Sequence, residues 1–278
     1  MTNDSSPRIN NKIECRCCGC PSEYFSKAKV LKYEAKYYRC SQCLSVQVEN
    51  PTWIAESHSR AISALDTGLV SRCVSASKLI SSLLFLEKKQ AATGIDWGGG
   101  TGLLTRLMRD LGFHMRSFDI YADGYLAEGF QASPSDFEIS TTYVTSIECF
   151  EHLEDPIANF KIATKNTEYF FFTTELIPNP TPDPATSNWW YFLPETGQHI
   201  TFLSRAGLDR FREILGFDHY LKIGTLHIFS RKPIRQITKV IMSNGVLRKF
   251  ALIVMPIYLS KKYSLLLRDK EELRLNIH

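Results

Sequence analysis

The stretch "GIDWGGGTGLLTRLMRDLGF", residues 94–113, sets Gly98, Gly100 and Gly102 at alternate positions directly behind Asp96. A short apolar approach ends at Asp96, and after the glycines Leu103 to Leu111 reads as an amphipathic helix closed by Gly112. "HMRSFDIY" then reads as a second strand ending at Asp119. Strand, glycine turn, helix and strand make a βαβ opening. The bare backbone of such a turn lets a ligand lie directly against it, and an acid at the tip of the second strand accepts hydrogen bonds from ribose hydroxyls. Both features point to a cofactor that contains a nucleoside.

The pattern is GxGxG, and Asp96 stands two residues before its first glycine, where a dinucleotide enzyme normally has no acid. That spacing resembles the first motif of class I S-adenosylmethionine-dependent methyltransferases. The resemblance implies that Asp96 lies near the methionine amino end, that Gly98, Gly100 and Gly102 pass under the cofactor, and that Asp119 takes the ribose hydroxyls. It continues in "YVTSIECFEHLEDP", which is similar to the fourth strand of such enzymes and the ExxEHxxDP loop after it, matched by Glu148, Glu151, His152, Asp155 and Pro156. Glu148 joins the expected cofactor contacts. "TEYFFFTTEL" reads as a buried fifth strand, and "ITFLSRAGLDRFREILGF" resembles the return through a helix to the last hairpin. The implied fold is α/β, a seven-stranded, mostly parallel, Rossmann-like methyltransferase sheet over residues 93–230. "LDTGLVSR" and the "WWY…GQHI" stretch, Trp189 to Ile200, are similar to a bacterial group associated with surface-polysaccharide and modified-sugar synthesis, which implies a sugar or glycan acceptor.

Near the amino end, "CRCCGC" and "YRCSQC" each supply a CxxC pair, Cys15 with Cys18 and Cys40 with Cys43. Two thiolates separated by two residues in a tight turn hold one edge of a metal tetrahedron, and a second such turn completes it. Residues 13–50 therefore read as a small zinc ribbon with structural zinc. Cys17 and Cys20 also form a CxxC, but Gly19 directly after Cys18 suits the knuckle turn and favours Cys15 and Cys18. Buried or redox-active thiols are the alternative.

Apolar residues are 44% and charged residues 22% of 278, the balance of a globular protein of one large core, or one core with an appendage. Residues 1–12 are polar with no apolar run, match no targeting signal and read as a loose tail, so the expected location is the cytoplasm. Residues 51–92 carry apolar positions such as Ile62, Leu65, Leu79 and Leu83 at helical spacing and read as a helical connector. Residues 231–278 are a basic, partly apolar extension: 11 Lys and Arg stand against 3 Asp and Glu, a net +8 that leaves −4 for the first 230 residues. Its ten-residue apolar run, Phe250 to Leu259, is too short to span a bilayer, and Pro256 is expected to interrupt a helix there. The run either packs on the catalytic domain or on a second subunit as a homodimer, or it makes a peripheral contact at the inner face of the membrane.

Methyl transfer asks chiefly for alignment, plus removal of a proton from the acceptor. His199 is the first candidate base and His152 the second. Trp189, Trp190 and Tyr191 cannot all face one core, so at least one is expected to be open to an acceptor. Cys149 reads as a small buried hydrophobe. The expected reaction is O- or C-methylation of a sugar or glycan intermediate. Another small hydroxylated metabolite is the alternative acceptor, and a zinc-ribbon binding module with a relic cofactor fold is an alternative of another class. A divalent ion at Glu148, Glu151 and His152 is conceivable. No (D/N)PPY tetrapeptide or Walker GxxxxGK(S/T) loop is present, and no nucleic-acid partner is expected.

Overall fold

The computed structural model describes residues 12–57 and 66–275. The expected loose tail, but for Lys12, and the connector positions Ile62 and Leu65 lie outside the described residues. In chain order the strands β1 (Lys12–Glu14), β2 (Pro21–Val30), β3 (Tyr33–Cys40) and β4 (Val46–Val48) come first. Helices α1 (Ile54–Ser57) and α2 (Leu69–Leu86) lead to β5 (Thr93–Trp97), α3 (Leu103–Asp110) and β6 (His114–Phe118). Next are β7 (Thr141–Ser146), α4 (Pro156–Thr164), β8 (Thr167–Thr173), β9 (Thr201–Phe202) and α5 (Arg205–Ile214). The chain closes with β10 (His219–Ile223), β11 (Leu226–Ser230), α6 (Gln236–Ser243), α7 (Gly245–Tyr263) and α8 (Leu266–Leu275).

These elements form two compact units. One takes the described parts of Met1–Ser57 with Glu151–Ile157 and Glu175–Phe211; the other takes those of His58–Phe150, Ala158–Thr174 and Arg212–His278. The first holds an antiparallel sheet ordered β1-β2-β3-β4-β9. Its core gathers Val30, Tyr37, Val48, Trp53, Phe192 and Phe202, and the Trp53 indole donates to the Gly197 carbonyl at 2.9 Å, which satisfies its one polar atom.

The second unit holds a six-stranded mixed sheet ordered β10-β11-β8-β7-β5-β6. β6, β5, β7 and β8 pair in parallel, and β11 and β10 add antiparallel. β8 reads TEYFFFT because both of its faces are covered. Tyr169 and Phe171 join the core under α2 and α3, while Phe170 and Phe172 meet Phe160, Phe217 and Phe229 on the other side. Side-chain period two does the sorting.

Two expectations are corrected here. The sheet has six strands among the described residues, not seven: beyond β6 the chain makes a single parallel bridge, Ser117 to Gln131. Gly124, Gly129 and Pro134 turn that segment into short 3-10 helices at Tyr125–Ala127 and Pro134–Glu138, so no ladder forms. Pro256 does not interrupt its helix either, since α7 runs through it. A proline inside a helix costs about 3 kcal/mol, and here the buried Ala251, Pro256 and Leu259 offset the loss by packing, with Leu259 in the core beside α2.

Candidate functional site

The glycine turn is built by the backbone. Gly98 and Gly99 donate to the Phe118 carbonyl at 2.8 and 3.2 Å, tying the turn to the end of β6. Gly98, Gly100 and Gly102 have φ of 71°, 54° and 79°, a region that side chains resist. Their surroundings differ. A Cβ on Gly98 would stand 2.6 Å from the Cys149 sulfur, and one on Gly102 would stand 2.7 Å from the Ala127 Cβ. One on Gly100 would meet nothing within 4 Å. Gly98 and Gly102 thus allow close packing, while Gly100 borders open space where a ligand can reach the main chain. Cys149 is half-buried, where a fully buried hydrophobe is expected, and its sulfur occupies the room that Gly98 leaves.

Two carboxylates frame the turn. Asp119 accepts from the Gly100 N–H at 2.8 Å through Oδ2, and from the Tyr121 and Ala122 N–H groups at 2.7 and 3.0 Å through Oδ1. Oδ2 therefore keeps a lone pair for a further donor such as a ribose hydroxyl. Asp96 is 3% exposed and accepts from the Thr145 hydroxyl at 2.5 Å. Burial pushes its carboxyl up to about 7, Thr145 pulls the other way, and the Asp119 charge adds to the rise. A cationic group brought to Asp96 would reverse that rise. Glu148 has φ of 52°, donates its N–H to the Thr173 hydroxyl at 2.8 Å, and sets its carboxylate 4.0 Å from Arg72 Nε. Left-handed backbone at a non-glycine residue costs roughly 1 kcal/mol or more, and such strain gathers where function constrains the chain.

The first unit carries two further clusters. Cys15, Cys18, Cys40 and Cys43 bring their sulfurs within 4.8 Å of one another. Cys15 and Cys43 are 3.6 Å apart, and Cys18 and Cys40 are 3.5 Å apart. A tetrahedron with metal–sulfur bonds of about 2.3 Å has edges of about 3.8 Å, so the four fit one zinc-sized ion with small adjustment. The two turns are alike: the Cys17 N–H points to the Cys15 sulfur, and the Gln42 and Cys43 N–H groups point to Cys40. Gly19 and Leu44, each four residues after the first cysteine of its pair, have φ of 75° and 63°. Burial opposes ionisation of Cys40, yet the N–H donors of Cys43 and Gln42 together with the Cys18 and Cys43 thiols outweigh it and hold this thiol below its ordinary value. Cys17 and Cys20 are not in the cluster.

The other cluster is Glu151, His152 and His199. Glu151 Oε1 lies 3.8 Å from His152 Nε2 and 3.9 Å from His199 Nε2, and the two rings are 5.1 Å apart. His199 Nδ1 is 2.7 Å from the Tyr191 carbonyl, so Nδ1 carries the proton and donates, which leaves the Nε2 lone pair free to accept. Burial lowers His199 to about 4, against the pull of that carbonyl, and the ring is neutral near pH 7. Three donors of this kind within 4.8 Å of one another also suit a divalent metal. The aromatic stretch divides: Trp190 is 64% exposed, Trp189 is half-buried, and Tyr191 is buried with its ring against His199. Sequence reasoning gave both histidines and placed Glu151 in the loop motif. It missed that Tyr191 fixes the His199 tautomer, since a carbonyl contact leaves no trace in residue type.

A family model described as "Methyltransferase domain" matches residues 74–220, just over half of the chain. No curated protein matches it. Among solved structures the chain is similar to an O-methyltransferase family protein from Burkholderia thailandensis, with TM-score 0.45 and 14% identity over 60% of this chain and 57% of that one. It is also similar to magnesium protoporphyrin IX methyltransferase from Synechocystis PCC 6803 with bound SAH, with TM-score 0.43 and 12% identity over 60% and 86% of the two chains. A putative O-methyltransferase from Nostoc punctiforme PCC 73102 gives TM-score 0.40 and 12% identity over 66% and 61%. The match thus spans less than two thirds of the Burkholderia and Nostoc chains. At these values the likenesses say nothing of substrate.

Proposed function

The chain belongs to the methyltransferase-domain family, and on that premise we propose that it is an S-adenosylmethionine-dependent O- or C-methyltransferase whose acceptor is a sugar or glycan intermediate. One observation carries the cofactor assignment: Gly100 presents bare backbone to open space while Asp119 holds the turn and keeps an acceptor to spare. Gly98, Gly100 and Gly102 would lie along the cofactor, Asp119 Oδ2 would accept from its ribose, and Asp96 would meet its amino group. Glu148 would add a polar contact at the end of β7. When bound, the cofactor supplies a methyl group made electrophilic by its sulfonium.

The chain's own residues supply positioning and a place for one proton. His199 Nε2 takes the proton of the acceptor hydroxyl, Nδ1–H holds the ring on the Tyr191 carbonyl, and Glu151 stabilises the imidazolium that results. Trp190, exposed within the aromatic stretch, offers a face to a sugar ring, with Trp189 and Tyr191 fixing the loop. A second reading rests on the three donors that converge within 4.8 Å: a divalent ion held by Glu151, His152 and His199 would make the acceptor hydroxyl more acidic. The cysteine cluster holds structural zinc in this account and shapes the first unit without touching the chemistry.

A methyl-transfer screen with labelled cofactor against nucleotide sugars and non-sugar hydroxylated metabolites tests the acceptor class. Label in a sugar supports this reading, label only in another metabolite moves it to the alternative, and cofactor binding with no transfer to any acceptor counts against an enzyme. Loss of transfer in EDTA, restored by a divalent ion while the tetracysteine zinc stays bound, selects the metal reading over the free base.

A further inference from the structure

The carboxyl-terminal helices present a surface that none of these clusters uses. α7 turns Val246, Phe250, Ile253 and Ile257 outward at steps of four, three and four residues, which line them along one face. Val254 and Tyr258 widen that face, and Val246 and Phe250 are 78% and 66% exposed. Ala251 and Leu259 point the other way, buried, with Leu259 in the core beside α2. One side of the helix is anchored and the other is bare. Long open apolar stripes are uncommon on a protein that meets only water.

The charge pattern selects what covers it. From residue 219 to residue 268 the chain has ten Lys and Arg and no Asp or Glu. Lys249 is exposed near the start of the stripe, and Lys261 and Lys262 are exposed at its end. A two-fold contact with a second copy would bring this same patch against itself, cation facing cation. An anionic lipid surface offers an apolar layer at the depth of the stripe and negative headgroups at the level of the lysines. The length of α7 alone would allow insertion, but Ala251 and Leu259 hold it in the core, so it lies along a surface instead of crossing it.

We propose that the outward face of α7, flanked by Lys249, Lys261 and Lys262, is a docking surface for an anionic bilayer. Phe250 and Ile253 enter the acyl boundary, and the ammonium groups stay with the headgroups. The site is independent of the cofactor turn, so membrane binding needs neither cofactor nor acceptor. Truncation is a poor probe, because Met242 and Leu259 belong to the core of the second unit.

The test is co-sedimentation of the full chain with phosphatidylcholine vesicles, with and without about one third phosphatidylserine, at low and high salt. Expected results are binding to the anionic vesicles only, release by salt, and at least tenfold weaker partition for Phe250→Glu with Ile253→Glu at unchanged melting temperature. Lys249→Gln with Lys261→Gln, both at exposed positions, should also weaken partition severalfold and serves if the first variant misfolds. Absence of binding at low salt, or equal binding by the lysine variant, overturns the proposal. So does a concentration-dependent dimer that the Phe250→Glu, Ile253→Glu protein fails to form, which would assign the face to a second copy.

Discussion

Asp96 meets two opposed demands. Its carboxyl is fully buried and pushed up to about 7, while in the proposed contact the amino group of S-adenosylmethionine would call for the ionised form. Affinity for S-adenosylmethionine is therefore expected to fall as pH drops below 7, by up to about tenfold per unit. A flat affinity between pH 5.5 and 8 would remove Asp96 from that contact. The fold without cofactor responds in the opposite sense. The folded value lies above the ordinary 3.8, so this group's contribution to stability is complete below about 4 and is lost as pH rises through about 7. Without cofactor, Asp96→Asn should melt at least as high as the native protein at pH 8. His199 runs the other way. Lowered to about 4 from 6.5, it favours the fold above 6.5 and ceases to do so as pH falls through 4. For catalysis, His199→Ala should cut turnover at least tenfold with cofactor affinity nearly intact, because the proposed base would act on the acceptor. Normal turnover in that variant would shift the proton to His152 or to no base.

At the scale of elements, the four cysteines define the sharpest expectation. The purified protein should carry one zinc per chain; Cys18→Ser should lower that ratio and unfold the first sheet's turns, whereas Cys20→Ser should leave it at one. Elemental analysis reads both, and a ratio that drops only with Cys20→Ser would move the first turn to Cys17 and Cys20. The secondary-structure pattern was legible where local chemistry decides it. The glycine turn, α3 with Gly112 just past its end, and the buried strand TEYFFFT each carry their own signal in spacing and side-chain type. The missing seventh strand has local causes, Gly124, Gly129 and Pro134, which break the segment beyond β6 and leave one bridge at Gln131. Two other features were not legible because long-range packing decides them. Thr201 and Phe202 pair with β4, more than 150 residues away in sequence, and no local pattern announces such a partner. Pro256 is tolerated because its helix is packed on one side, which hydropathy alone does not reveal.

Across the whole molecule the charge divides between −4 in the first 230 residues and +8 after them, the asymmetry on which the proposed bilayer contact rests. The candidate site was readable to different depths. Asp96, the glycines and Asp119 stand together in the sequence, and the fold sets them around one turn; Glu151, His152 and His199 converge only through the fold, since His199 follows His152 by 47 residues. All of this depends on whether the turn at Gly100 receives S-adenosylmethionine. Isothermal titration of that cofactor into the full chain and into Gly100→Val is the most direct test. Valine at φ of 54° is strained by roughly 1–2 kcal/mol and fills the open space over the backbone. The expected result is one site per native chain and affinity weakened at least a hundredfold, about 2.7 kcal/mol, in a Gly100→Val protein that still folds; no heat from the native chain, or equal affinity in the two proteins, would contradict the account.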